Sequence, residues 1–239
     1  MNFYGQKLED KVAYEFFQRF PEGQLRRTYI DIGAYDGLHL SNSRLFEELG
    51  WSGICVEANP EAFQVLQKSR SCLCLNLACS DRDAELEFFA QPGRPMGTTN
   101  LSAIEHLKTG WHFKPGEREL VKATTVNQIL LEHNMPEVDF ASIDVDGAEL
   151  SVLRGFDLTR ANVKLICIET NLKAVRRGKW PRERVLEIDA LIRNHGYQLM
   201  LIRGANSFYA HIRTPLRTRL QWLLALHWPF RRKPRTGAV

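Results

Sequence analysis

Thr28-Tyr29-Ile30-Asp31-Ile32-Gly33-Ala34-Tyr35-Asp36-Gly37 decides the architecture of this 239-residue chain. Aromatic and β-branched residues lead up to Gly33, so residues 27–33 are predicted to form a short strand running into a glycine turn. Ser41 or Asn42 can cap a helix over 43–49, which Gly50 ends. Ser52-Gly-Ile-Cys-Val-Glu57 is a second strand, and Pro60 opens a helix to about Ser69, the favoured place for a first-turn proline. Strand, helix, strand, helix in this order is the signature of a parallel sheet.

The same alternation extends both ways. Upstream, apolar residues at 8, 12, 16, 17 and 20 predict a helix from Leu8 to Phe20. Downstream, strands are expected at Ser71–Ala78, Ala84–Ala90, Val138–Ile143 and Lys164–Glu169. Helices are expected from Thr125 to about His133, Gly147 to Leu153 and Arg182 to Asn194. The last two strands, Tyr197–Ile202 and Ser207–Ile212, are joined by Gly204-Ala205-Asn206. That link is too tight for a parallel crossover, so they form an antiparallel hairpin. The expectation is one α/β domain over residues 1–212, a seven-stranded, mostly parallel sheet closed by a hairpin with helices on both faces. Residues 1–26 carry its N-terminal helix. Residues 91–120, rich in glycine and proline, are the least regular stretch and the candidate lid.

Composition excludes several classes. The apolar share is 44 % and the charged share 25 %, ordinary for a globular protein. No run of about 18 apolar residues appears, so no transmembrane helix is expected. The start MNFYGQKLEDK lacks a basic, then apolar, leader, and a cytoplasmic location is expected. The five cysteines form no CxxC pair, which argues against structural zinc and for reduced, buried thiols. After Asp189 there are nine Lys or Arg and no acid. Residues 213–239 therefore form a basic, Trp- and Leu-rich tail suited to a helix packed on the domain or lying on an anionic membrane surface at the inner face.

Open α/β sheets bind ligands beyond the carboxyl ends of their strands. At the first such end, Gly33 lets backbone approach a ligand, and Asp31 can accept from an ammonium or a bridging water. The spacing is D-x-G-x-x-x-G, not the G-x-G-x-x-G of a dinucleotide site. At the second, Glu57 can accept both hydroxyls of a ribose, with Ala58 and Asn59 beside it. The third, Ala78-Cys79-Ser80, would flank an adenine. The fourth is Asp144-Val-Asp146-Gly147-Ala-Glu149, three carboxylates in six residues, which is costly unless they are solvated, paired or bound to a ligand. The fifth is Glu169-Thr170-Asn171. Asp144, Glu169 and Asn171 could hold a divalent cation, although a metal-free site is expected.

Together these stretches resemble the FkbM-type methyltransferase family. The resemblance rests on Tyr4-Gly-Gln6-Lys-Leu-Glu9-Asp10, Asp31 to Gly37, Ser41-Asn42-Ser43, Gly50 to Pro60 and Ile143 to Glu149, in order across residues 4–212. It implies a class I, Rossmann-like fold, S-adenosylmethionine as methyl donor, and O-methylation of a sugar or natural-product hydroxyl. It places the cofactor at Asp31, Gly33, Ala34, Tyr35, Gly37, Ser41, Asn42, Glu57 to Asn59, Ala78 to Ser80 and Asp144. Ala58, Asp146 and Val126-Asn127 depart from the residues frequent in the family, which leaves the acceptor open.

Asp144 is the first candidate for a general base, with Glu169 and His112 as further catalytic candidates and His39 and His211 behind them. The expected partner is a small-molecule or glycan hydroxyl, with no nucleic acid. A nicotinamide-dependent oxidoreductase is disfavoured by the missing dinucleotide glycines. A non-catalytic cofactor-binding module is disfavoured by the intact Asp31, Gly33 and Glu57.

Overall fold

The computed structural model describes residues 1–21, 23–175, 178 and 180–227. In chain order the first half comprises α1 (Glu9–Phe17), β1 (Thr28–Ile32), α2 (Arg44–Glu48), β2 (Ser52–Val56), α3 (Pro60–Ser69), β3 (Leu73–Leu75), β4 (Ala78–Cys79), β5 (Ala84–Ala90), β6 (Gly97–Thr98), α4 (Leu101–Trp111) and β7 (Arg118–Thr124). The second half comprises α5 (Val126–Glu132), β8 (Phe140–Ile143), α6 (Glu149–Arg154), β9 (Leu165–Glu169), α7 (Leu172–Val175), α8 (Arg182–Asn194), β10 (Tyr197–Arg203), β11 (Asn206–His211) and α9 (Leu216–His227).

Seven strands form the main sheet in the order β10-β11-β9-β8-β1-β2-β3. From β3 to β9 every pairing is parallel. β11 then runs antiparallel to both β9 and β10, as the short link at Gly204 requires. Period-two alternation divides the side chains between two cores. Ile30, Ile32, Ile166 and Ile168 face α5, α6 and α8. Tyr29, Phe140, Leu165 and Phe208 face α1, α2 and α9. This two-sided burial explains why the central strands read as near-continuous apolar runs.

Three expectations need correction. The strand expected over 71–78 is broken: β3 pairs with β2, but the Asn76 side chain donates to the Glu57 and Ala58 carbonyls, and the chain then turns away. β4 and β5 join β6 and β7 in a separate four-stranded sheet, so Ala84–Ala90 is a strand but not one of the main sheet. The segment 91–120 carries β6, α4 and the start of β7 rather than an irregular loop. Helical spacing at Leu101, Ile104, Leu107 and Trp111, after the capping Asn100, was the signal for α4. The surrounding glycines and prolines obscured it. A smaller shift occurs at α2, where Ser43 is the N-cap residue while the Ser41 hydroxyl accepts the Arg44 amide at 3.1 Å.

At the far end of the chain α9 packs on α1. Trp222 is fully buried, donates from its ring nitrogen to the Val12 carbonyl at 3.0 Å, and lies 5.0 Å from the Phe16 ring. Leu216 and Leu220 of the same helix are exposed. The basic run Arg231–Arg235, on which the membrane expectation partly rests, lies outside the described residues. No described helix is long and apolar enough to cross a membrane.

Candidate functional site

β1, β2 and β8 end level with one another. The Gly33 and Ala34 amides both donate to the Val56 carbonyl, at 2.9 and 3.1 Å, and the Asp144 amide donates to the Ile32 carbonyl at 2.9 Å. Gly33 has φ +85°, and a Cβ there would stand 1.8 Å from the Asp144 carbonyl oxygen. Only glycine lets the two strand ends approach so closely.

A cavity with about 600 Å³ of empty space opens along this edge, walled by Gly33, Tyr35, Glu57, Cys79, Asp144 and Asp146. Arg94, Pro95, Met96 and Thr99 also line it, so part of the stretch expected to be a lid does border the site. A second hollow of about 480 Å³ adjoins it, walled by Asp31, Ala34, Ser41 and Asn42 and sharing Gly33, Tyr35, Asp144 and Asp146 with the first. The N-terminal segment reaches this side too: Gly5 bridges to Leu40, and Asp10 accepts the Tyr4 amide at 2.6 Å.

Glu57 is held by backbone. Its two oxygens accept the Tyr35 amide at 2.7 Å and the Asn59 amide at 2.8 Å. Asn59 in turn caps α3 by accepting from the Glu61 and Ala62 amides. Burial pushes the Glu57 carboxyl up to about 7, against the pull of those amides. Asp31, 3 % exposed, accepts from the Ser43 hydroxyl at 2.5 Å. The buried Arg70 guanidinium donates to that same hydroxyl and pairs with Glu47. Burial raises the Asp31 pKa while Ser43 and Arg70 oppose the rise. Asp31 is thus partly engaged by the protein itself, through the Ser43 hydroxyl and the Arg70 charge behind it, and nothing in the local sequence marks Arg70 for that place.

The acids of the fourth strand end separate into two roles. Glu149 accepts the Gly147 amide at 3.0 Å and pairs with Arg184 at 2.7 Å, so it organises the turn. Asp144 and Asp146 face the cavity, and with Glu169 they place one carboxylate oxygen each within 4.8 Å of the others. Burial first, then mutual repulsion, raises the pKa of Asp144 and of Glu169 well above the usual carboxylate range. Asp146, in the left-handed region at φ 46°, accepts the Gly97 amide at 2.9 Å, and burial pushes it up to about 7. Asp146 stands two residues from Asp144 in the chain, but nothing in the local sequence marks that it meets Glu169.

The remaining candidates divide. Ala58, Asn59 and Ala78 line the larger hollow. Gly37 lines neither: a Cβ there would strike Leu66 and Arg70, so this glycine serves the packing of α3. Ser80 is buried against the Ser151 hydroxyl and lines neither hollow. His112 is a correction: it is the exposed, left-handed residue that ends α4 and borders neither hollow. His39, largely exposed, borders the smaller hollow and pairs with Asp36. His211 closes β11, paired in register with Tyr197 at the sheet edge opposite the site. Asn171 is buried, left-handed at φ 52°, and its backbone amide donates to the Ala205 carbonyl at 2.9 Å.

The family model described as the methyltransferase FkbM domain matches residues 31–199. The chain belongs to that family. The match begins at Asp31 and so takes in the glycine turn, Glu57 and the three clustered acids of this FkbM-type methyltransferase. No protein of curated function matches its sequence. Among solved structures it is similar to the precorrin-6y C5,15-methyltransferase from Geobacter metallireducens GS-15, with 12 % identity and a TM-score of 0.39, over 83 % of this chain and 84 % of that one. So distant a likeness adds nothing about chemistry.

Proposed function

We propose that this FkbM-type methyltransferase moves the methyl group of S-adenosylmethionine to a hydroxyl oxygen of a sugar or natural product. The observation that carries this reading is the single cavity that joins the Gly33 turn, the Glu57 carboxylate and the Asp144 carboxylate. The residues suit the cofactor. The Gly33 turn is a backbone cradle that a Cβ would fill. Each Glu57 oxygen accepts one amide and keeps lone pairs for a ribose hydroxyl. Ala78 and Cys79 offer an apolar wall beyond it. The bound cofactor supplies a methyl already activated on a sulfonium, so the protein's task is to position the acceptor and take a proton.

Asp144, on the cavity wall, would take that proton. A carboxylate with a raised pKa is a stronger base than an ordinary one, and a hydroxyl is a poor nucleophile until deprotonated. Asp146 holds the Gly97 amide and so fixes the outer wall against which an acceptor would rest. The basic tail, as a proposal on its sequence alone, would bring the enzyme to an anionic membrane surface.

The first test is the melting temperature with S-adenosylmethionine and, separately, with NAD. Ligand at a hundredfold its Kd stabilises by ~2.7 kcal/mol, which is roughly 5–10 °C for a chain of this size. Transfer of a labelled methyl to a panel of polyhydroxylated acceptors then tests the reaction. A shift with NAD alone refutes the reading, and no shift with either ligand leaves a non-catalytic member of the family.

A further inference from the structure

Five acids crowd one face of the sheet at its carboxyl edge. Asp31, Asp144 and Glu169 all point to the α1 side, as the alternation along β1, β8 and β9 dictates. Asp146 joins them from the turn, and Glu9 is buried at the start of α1. Arg70 serves Asp31. Among the described residues no Lys, Arg or His forms an ion pair with Asp144, Asp146 or Glu169.

Two buried oxygens on this face also lack a donor. Asn206 stands in register opposite Glu169 on the antiparallel strand, so both side chains leave the same face of the sheet side by side. Asn206 is 4 % exposed, yet its Oδ1 has no hydrogen-bond partner. Glu9 is 1 % exposed, and its Oε1 likewise has none, while its Oε2 accepts the Lys7 amide at 2.6 Å. A buried acceptor without a donor is costly and calls for an explanation. Oxygen atoms alone, several of them anionic and within 4.8 Å of one another, are the donor set of a hard divalent cation.

We propose that Asp144, Asp146 and Glu169 bind a divalent cation of the magnesium or manganese type, with the Asn206 Oδ1 as a neutral fourth oxygen. Each carboxylate contributes one oxygen, and the ion offsets the crowding of three acids within 4.8 Å of one another. Such an ion keeps coordination positions for waters or ligand oxygens. Since Asp144 and Asp146 wall the cavity, those positions open toward the acceptor. Resting on the methyl-transfer reading, the acceptor class narrows to compounds with two adjacent oxygens, such as a vicinal diol, which can chelate the ion and present one hydroxyl to the methyl.

The test is a Mn²⁺ titration of the full chain followed by electron paramagnetic resonance, without S-adenosylmethionine. One Mn²⁺ per chain is expected, displaced by excess Mg²⁺. Glu169→Gln should weaken binding by at least tenfold and Asn206→Ala by a smaller factor. The metal-free Glu169→Gln protein should melt close to the parent, because glutamine keeps the size of the side chain and an acceptor oxygen. If it does not fold, Asp146→Asn, which still offers an oxygen to the Gly97 amide, carries the same test. No Mn²⁺ uptake at millimolar ion, or uptake unchanged by these substitutions, overturns the proposal. The two readings fail separately. Mn²⁺ uptake without a melting shift from S-adenosylmethionine removes the cofactor reading and leaves the cation site. A shift without Mn²⁺ uptake does the reverse.

Discussion

Lowering the pH should release the cofactor, and Glu57 sets where this happens. A ribose donates two hydroxyls, and only the ionised carboxylate accepts both without competing protons. Hydrogen bonds to a charged group contribute about 1.5–3 kcal/mol each, so two are worth roughly 3–6 kcal/mol, or about 10²- to 10⁴-fold in Kd. The Glu57 carboxyl is pushed up to about 7 by burial. Binding selects the ionised form, so affinity should be level above about pH 8 and fall about tenfold for each pH unit below 7. Asp146 is pushed to about 7 as well, so it can add to the slope through the cofactor's positive charge. The assay is calorimetric titration of S-adenosylmethionine from pH 5.5 to 8.5 on the parent, Glu57→Gln and Glu57→Ala. Glu57→Gln should lose most of the affinity at pH 8 and show a slope shallower by one proton. Glu57→Ala should bind more weakly still, since it also strands the Tyr35 and Asn59 amides. A Kd independent of pH in the parent, or a glutamine variant that binds as well as the parent, refutes the role given to Glu57.

Stability should respond to the same group with the opposite sense. The folded-state pKa of Glu57 is raised above its usual 4.5, so its contribution is complete below pH 4.5 and is lost as pH rises through 7; the melting temperature of the ligand-free parent relative to Glu57→Gln should fall across that window. Gly33→Ala should cost several kcal/mol and abolish cofactor binding, because a Cβ 1.8 Å from a backbone oxygen forces the β1 and β8 ends apart; chemical denaturation and the cofactor melting shift read both. Trp222→Ala should cost about 3–5 kcal/mol, or roughly 6–20 °C in melting temperature, and an unchanged melting curve would mean that α9 does not dock on α1. Thr125→Ala removes the side chain that accepts the Gln128 amide and caps α5, and should cost about 1 kcal/mol by denaturation.

Much of this molecule is decided within short stretches of chain. The turn at Gly33 follows from the residues on either side of it. Pro60 and Asn59 start α3 where expected, Thr125 starts α5, and Gly204 forces the closing hairpin. Each outcome depends on neighbours a few residues apart, through a cap, a fixed φ or a period of two or 3.6, and such signals are written in sequence order. The alternation of these elements then leaves few topologies, and the linked motifs identify the family. What only the tertiary structure decided depends on partners far apart in the chain. β4 and β5 leave the main sheet because β7, some forty residues on, offers them a partner, and no local pattern marks which partner a strand will choose. Arg70 reaches the Ser43 hydroxyl that holds Asp31, and Trp222 meets Val12, only when α3 and α9 fold back across the sheet. Asp146 lies in a turn, Glu169 ends β9 and Asn206 opens β11, and the sheet brings Asp146 to Glu169 and sets Asn206 opposite Glu169 at one edge. Sequence reading found the acids one strand at a time. Their assembly into one group required the sheet.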